Sequence, residues 1–80
     1  METKTFGELL KGAMQFNHIS VKKLSELTQI NPSTIYRYLN NEIQPDVNRL
    51  KLLCVELHVS ADYLLGFKPL PLYTIELKEV

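Results

Sequence analysis

The stretch from Ile19 to Asn41, ISVKKLSELTQINPSTIYRYLNN, is punctuated so closely that few folds can accommodate it. Ser20 is a good N-cap, because its oxygen can accept from the free N–H groups of an opening helical turn. Beyond it, Val21, Leu24 and Leu27 keep a three-residue apolar spacing, and Thr28 completes an inner stripe. The pattern breaks at Gln29, Ile30 and Asn31. Asn31 then offers a second N-cap, and Pro32 falls at N1, where its missing N–H costs nothing and its fixed φ already suits a helix. Along this second helix, Pro32 to Asn40, the side chains of Ile35, Tyr38 and Leu39 point one way. Ser33, Thr34, Tyr36, Arg37 and Asn40 are left for the other side. The chain must hold two short helices about a tight turn, the second with a polar side free to touch something else.

Two such helices at a steep angle have the form of a helix-turn-helix. Eighty residues suffice for one small core and not for two. A hydrophobic fraction of 45% is that of a globular protein. The single cysteine, Cys54, excludes an internal disulfide and lies among Leu50, Leu53 and Leu57 on a helical stripe, which reads as an apolar packing position. No basic-then-apolar signal opens the chain, and its longest apolar run, Leu52 to Val55, could not cross a bilayer. Asn31-Pro32-Ser33 is no glycosylation acceptor, since proline holds the middle position. A cytoplasmic protein is expected.

Charge argues against broad electrostatic binding. Nine basic residues balance nine acidic ones, where a nucleic-acid binder usually carries a basic excess. The distribution is uneven. Up to Asn40 there are five basic side chains (Lys4, Lys11, Lys22, Lys23, Arg37) against three acidic ones (Glu2, Glu8, Glu26). From Asn41 onward there are four against six. The helix-turn-helix lies in the positive half, which would orient the domain on DNA through few phosphate contacts.

Upstream of the motif, Phe6, Leu9, Leu10, Ala13 and Met14 predict a helix from about Thr5 to Phe16. Thr5 and Glu8 form a capping-box pattern. Asn17 and His18 supply a turn, with asparagine the residue expected to tolerate a left-handed backbone. His18 and His58 have no cysteine pair beside them, so a metal site is not expected. Downstream, Asn41 to Gln44 forms a loop, Pro45 blocks continuation, and Asp46 caps a helix from about Val47 to His58. Its inner face is Val47, Leu50, Leu53, Cys54 and Leu57. Ser60 caps a last short helix, Ala61 to Leu65, with Asp62 against the positive end of its dipole and Gly66 ending it. The expectation is an all-α fold of five helices over residues 1–68. Residues 69–80 then form an extended tail. There Pro69 and Pro71 forbid a helix, and Tyr73, Ile75 and Leu77 alternate with Thr74, Glu76 and Lys78 as a β-strand would. Such a strand either pairs with its copy in a homodimer, through Tyr73 to Val80, or remains a loose tail; the dimer is preferred.

These residues together resemble the Cro/C1-type (lambda-repressor-like) helix-turn-helix domain of phage and bacterial transcription regulators. The likeness runs from Phe6-Gly7-Glu8 through Ile19-Ser20, Leu24-Ser25-Glu26-Leu27, Ser33-Thr34-Ile35, Arg37-Tyr38, Asn40 and Gln44-Pro45. It ends with Ser60-Ala61-Asp62-Tyr63-Leu64-Leu65-Gly66. The resemblance implies a five-helix domain whose third helix lies in the major groove of DNA. It puts Pro32, Ser33, Tyr36 and Arg37 at base-reading positions and Thr34 and Asn40 near phosphates. Lys22 and Lys23 complete the DNA-binding set. Pro32 could offer only apolar contact, whereas the Arg37 guanidinium can bond two acceptors of one guanine. Three positions depart from the family pattern. Val21 replaces a phosphate-holding glutamine, Gln29 replaces the turn glycine, and Asn41-Glu42 replaces a Gly-Lys type loop. Ser25 keeps the small residue that lets the two helices approach.

The function expected is that of a sequence-specific DNA-binding transcription regulator, a repressor of phage or mobile-element type binding operator DNA as a dimer. The alternative is a protein-interaction module of the same fold, an antirepressor or co-repressor partner. The neutral charge, Val21, Glu42, the apolar or aromatic character of Pro32, Ile35 and Tyr36, and the exposed strand-like tail favour that alternative. No enzyme is expected, and no cofactor: the chain has no glycine-rich phosphate loop, no metal-spaced His/Cys set, and no nucleophile beside a positioned base.

Overall fold

A computed structural model describes residues 4–67. They form five helices: α1 (Phe6–Phe16), α2 (Val21–Thr28), α3 (Pro32–Leu39), α4 (Val47–Leu57) and α5 (Ala61–Leu64). Every N-terminus is capped by the residue that the sequence nominated. Thr5 Oγ1 accepts from the Glu8 N–H while Glu8 Oε1 accepts from the Thr5 N–H, a complete capping box. Ser20, Asn31, Asp46 and Ser60 accept from Lys23, Ser33, Arg49 and Tyr63 respectively. Each such cap stabilises its helix by about 1 kcal/mol, so these short helices begin where the polar residues dictate.

The C-termini depend on backbone that few side chains favour. Gln29, His58, His18 and Asn41 all have positive φ, at 64°, 56°, 56° and 62°. Gln29, where the resemblance implies a glycine, takes the left-handed backbone without one, and its Nε2 donates back to the Glu26 carbonyl. The left-handed residue after α1 is His18, not the asparagine expected there. Asn17 lies at φ −93° and spends its side-chain amide on the Ala13 and Leu57 carbonyls, tying the end of α1 to the end of α4.

Leu10, Ala13, Leu24, Ile35, Leu53, Leu57 and Leu64 are fully enclosed at the centre, with Tyr38 against them and Phe6 meeting the Tyr38 ring edge-on at 6.3 Å. Each large aliphatic side chain contributes about 1.5–3 kcal/mol through burial. α1 packs on α3 and α5, and α2 on α3 and α4, while α4 also meets α5. Two expected core residues lie outside. Leu27 is 38% exposed and Val47 70% exposed. Ile30, read from sequence as part of a break, is buried, as is Val59 after α4. The tail strand and its pairing through Tyr73 to Val80 lie outside the described residues.

Candidate nucleic-acid interface

The turn between α2 and α3 is fixed by side chains rather than by apolar packing alone. Ser25 Oγ donates to the Ile30 carbonyl at 2.6 Å. Thr28 Oγ1 donates to the Leu24 carbonyl and accepts from the Ile30 N–H. With Ile30 anchored in the core, the start of α3 has little freedom. Ile35 and Tyr38 hold the inner side of α3, and the opposite side is turned to solvent.

On that side Pro32, Ser33, Tyr36, Arg37 and Asn40 are exposed and Thr34 is half-buried. By helical geometry Ser33, Tyr36, Arg37 and Asn40 share the solvent side, with Pro32 and Thr34 at its two edges. Lys22 and Lys23 are exposed at the start of α2. Among the described residues the single ion pair is Arg49 with Asp46 on α4, at 3.0 Å, so Arg37, Lys22 and Lys23 are not neutralised by a carboxylate. Arg37 also sits in the last turn of α3, where a cation favours the helix dipole. Glu42 follows closely, with its N–H donating to the Arg37 carbonyl at 2.9 Å.

Ser33 has a role that spacing did not predict. Its hydroxyl donates to Asn31 Oδ1 at 2.8 Å, the same oxygen that caps the helix. The lone pairs remain free to accept, whereas a phosphate contact would require the hydroxyl to give up that bond. Tyr36, 55% exposed, borders a groove of about 400 Å³ between α1, the start of α2 and α3. Lys11, Gln15, Val21, Leu39 and Asn40 share in lining it. Sequence reading did not single out Lys11 and Gln15 as site residues. Their signal was an i, i+4 spacing on the outer face of α1, visible only once the partner surface of α1 is known. Below the surface, burial raises the Tyr38 phenol above its ordinary value; Arg49 opposes that shift and Asp46 adds to it. The phenol therefore stays protonated beneath the helix.

Among the described residues no group of His, Cys, Asp and Glu is arranged to hold a metal ion, and no helix is long and apolar enough to cross a membrane.

A family model described as helix-turn-helix matches residues 14–64. Two solved structures are similar. The P22 c2 repressor, crystallised in complex with a synthetic operator, shares 24% identity at a TM-score of 0.77, over 82% of this chain and 100% of that one. A transcriptional regulator from Listeria innocua shares 25% identity at a TM-score of 0.69, over 96% of this chain and 65% of that one. The chain therefore spans about two thirds of the Listeria protein. A search of curated protein sequences finds no match. The structural likenesses speak for the fold, and the family match covers most of the chain. The chain belongs to the Cro/C1-type helix-turn-helix family of DNA-binding transcription regulators.

Proposed function

We propose that this protein is a sequence-specific repressor of phage or mobile-element type that binds operator DNA as a dimer through the outer face of α3. The observation that carries this reading is the solvent-facing set Pro32, Ser33, Tyr36, Arg37 and Asn40, with Arg37 paired to no described carboxylate, on a helix whose inner side is locked into the core. Arg37 is its base-reading residue, bidentate to one guanine. Pro32, Ser33 and Tyr36 contact neighbouring bases, and Thr34, Asn40, Lys22 and Lys23 meet phosphates. The P22 c2 repressor, which shares this fold, was crystallised with a synthetic operator, and that is in keeping with the operator-binding reading. The weak charge makes a dimer advantageous. A domain with few cations gains little from phosphates, so two copies on half-sites about 34 Å apart supply the affinity that one lacks.

The test is selection from a random duplex pool, followed by titration of the enriched sequence across salt concentrations. An enriched inverted repeat whose binding weakens steeply with salt supports the reading. No enrichment, with no binding at low salt, rejects it in favour of a protein target.

A further inference from the structure

The start of α3 is fixed by Ser25, Thr28 and Ile30; its end is fixed by the residue that follows it. Asn41, at φ 62°, turns the chain out of α3 in a Schellman closure. Its N–H donates to the Tyr38 carbonyl at 3.1 Å, and the Glu42 N–H donates to the Arg37 carbonyl at 2.9 Å. The Asn41 side chain then reaches across to the start of α1. Its Oδ1 accepts from the Gly7 N–H at 2.9 Å, and its Nδ2 donates to Thr5 Oγ1 at 3.1 Å. The capping box of α1 satisfies the Thr5 and Glu8 N–H groups within that helix and leaves the Gly7 N–H to find a partner elsewhere. Asn41 supplies it from 34 residues away. Gly7 is buried and has no Cβ, so the Leu39 carbonyl can lie against the same turn of α1. One amide thus joins the last turn of α3, which carries Arg37, to the first turn of α1.

We propose that Asn41 is a positioning residue for DNA recognition: it sets the angle at which the last turn of α3 presents Arg37 to a base pair. This inference rests on the DNA-binding reading of α3. The resemblance implies a glycine at this point, which would give the turn without the clamp. It also implies a glutamine and a lysine able to hold phosphates where this chain has Val21 and Glu42. Phosphate contacts fix the register of a protein on DNA. A chain with fewer of them must have α3 aimed before it arrives, and the Asn41 amide does that within the fold. Asparagine is suited to the task, because it tolerates the left-handed backbone and brings both a donor and an acceptor.

The test uses the full chain and the duplex enriched by selection, with each base pair substituted in turn. Asn41→Gly keeps the left-handed turn and removes the amide. It should weaken binding to the selected duplex about 2- to 12-fold. Ordering the last turn of α3 then falls to the DNA, at a cost bounded by the net worth of the bond to the Gly7 N–H. Scrambled duplexes should bind as before. The preference should relax at the base pair where Arg37→Ala relaxes it, and Asn41→Gly should add nothing in an Arg37→Ala background. Asn41→Asp keeps the oxygen that accepts from Gly7, so it should retain the preference while its added charge weakens binding to both duplexes alike. The Gly7 amide proton should exchange faster with solvent in Asn41→Gly and stay protected in Asn41→Asp. A general loss of stability would instead lower the affinity of Asn41→Gly for selected and scrambled duplexes together. That result, an unchanged preference in Asn41→Gly, or an Asn41→Asp protein as relaxed as Asn41→Gly overturns the proposal and leaves the α3 reading intact. A wild-type chain with no sequence preference overturns both.

Discussion

Replacing Gly7 by alanine should destabilise the protein, although helix propensity alone says the opposite. Gly7 lies in the first turn of α1, where alanine gains at most about 1 kcal/mol of intrinsic preference. A Cβ built there would lie 2.2 Å from the Leu39 carbonyl oxygen, 2.8 Å from its carbon and 3.0 Å from Asn41 Oδ1. Two of these neighbours are backbone at the end of α3 and cannot rotate away, so the helices must separate by roughly an ångström. Overpacking of that kind costs about 1–3 kcal/mol. The shift also loosens the Gly7 N–H bond to Asn41 Oδ1, 2.9 Å long and worth about 0.5–1.5 kcal/mol. The net expectation is a loss of about 0.5–3.5 kcal/mol. At about 4–8 °C per kcal/mol for a domain of this size, melting falls by at least about 2 °C.

Gly12→Ala, in the same helix, is the internal control. Its Cβ would meet only the Tyr63 hydroxyl, at 3.2 Å, the far end of a side chain. That variant should be neutral or gain up to about 1 kcal/mol. Thermal unfolding followed by far-UV circular dichroism reads both. A Gly7→Ala protein as stable as wild type would refute the claim that α1 rests directly on the backbone of α3. Because Leu39 ends α3, the same variant should also bind the selected duplex more weakly.

Gln29→Gly should stabilise the fold by up to about 1 kcal/mol in chemical denaturation, because φ 64° is strained for a β-carbon; a loss would mean that the Gln29–Glu26 bond outweighs the strain. Arg37→Ala should cost about 1–3 kcal/mol of specific binding and relax the preference at one base pair, and an unchanged preference in repeat selection would contradict its assignment. Alkali should destabilise the protein, in part through Cys54, Tyr38 and Tyr63. Burial raises all three above their ordinary values of 9.0 and 10.0. The unfolded chain therefore loses these protons first. Stability is full below about pH 9 and declines as pH climbs through the folded-state values. Denaturant midpoints at about pH 8 and about pH 10.5 check the sign, and Tyr63→Phe should flatten the decline.

The capping residues made helix starts readable, since a polar side chain before a periodic segment has few other uses. Periodicity was less reliable at the edges of a stripe. Successive three-residue steps lag the helix by about 60° each, which carries Leu27 off the inner side defined by Leu24 and Thr28. Val47 lies about 70° from the centre of the stripe formed by Leu50, Leu53, Cys54 and Leu57, and none of the described residues covers it there. Ile30 could not be placed because a single residue in a turn has no period. Its burial is decided by Ser25 and Thr28, which bind its backbone. The outer face of α3 was legible because Pro32 fixes the helix register. The groove beside it was not, since it exists only where α1 crosses to α3. The bond from Ser33 to Asn31 is likewise a matter of rotamer, which spacing does not encode.

In the proposed binding mode the outer face of α3 enters a DNA groove while its inner face stays locked in the core. Mapping amide chemical shifts during titration with the selected duplex tests it most directly. The expected result is that the largest changes fall on Ser33, Tyr36, Arg37 and Asn40, with Lys22 and Lys23 next and the outer face of α4 at Val47, Leu52 and Val55 unmoved. Changes centred on α4 and α5, with α3 silent, would contradict it.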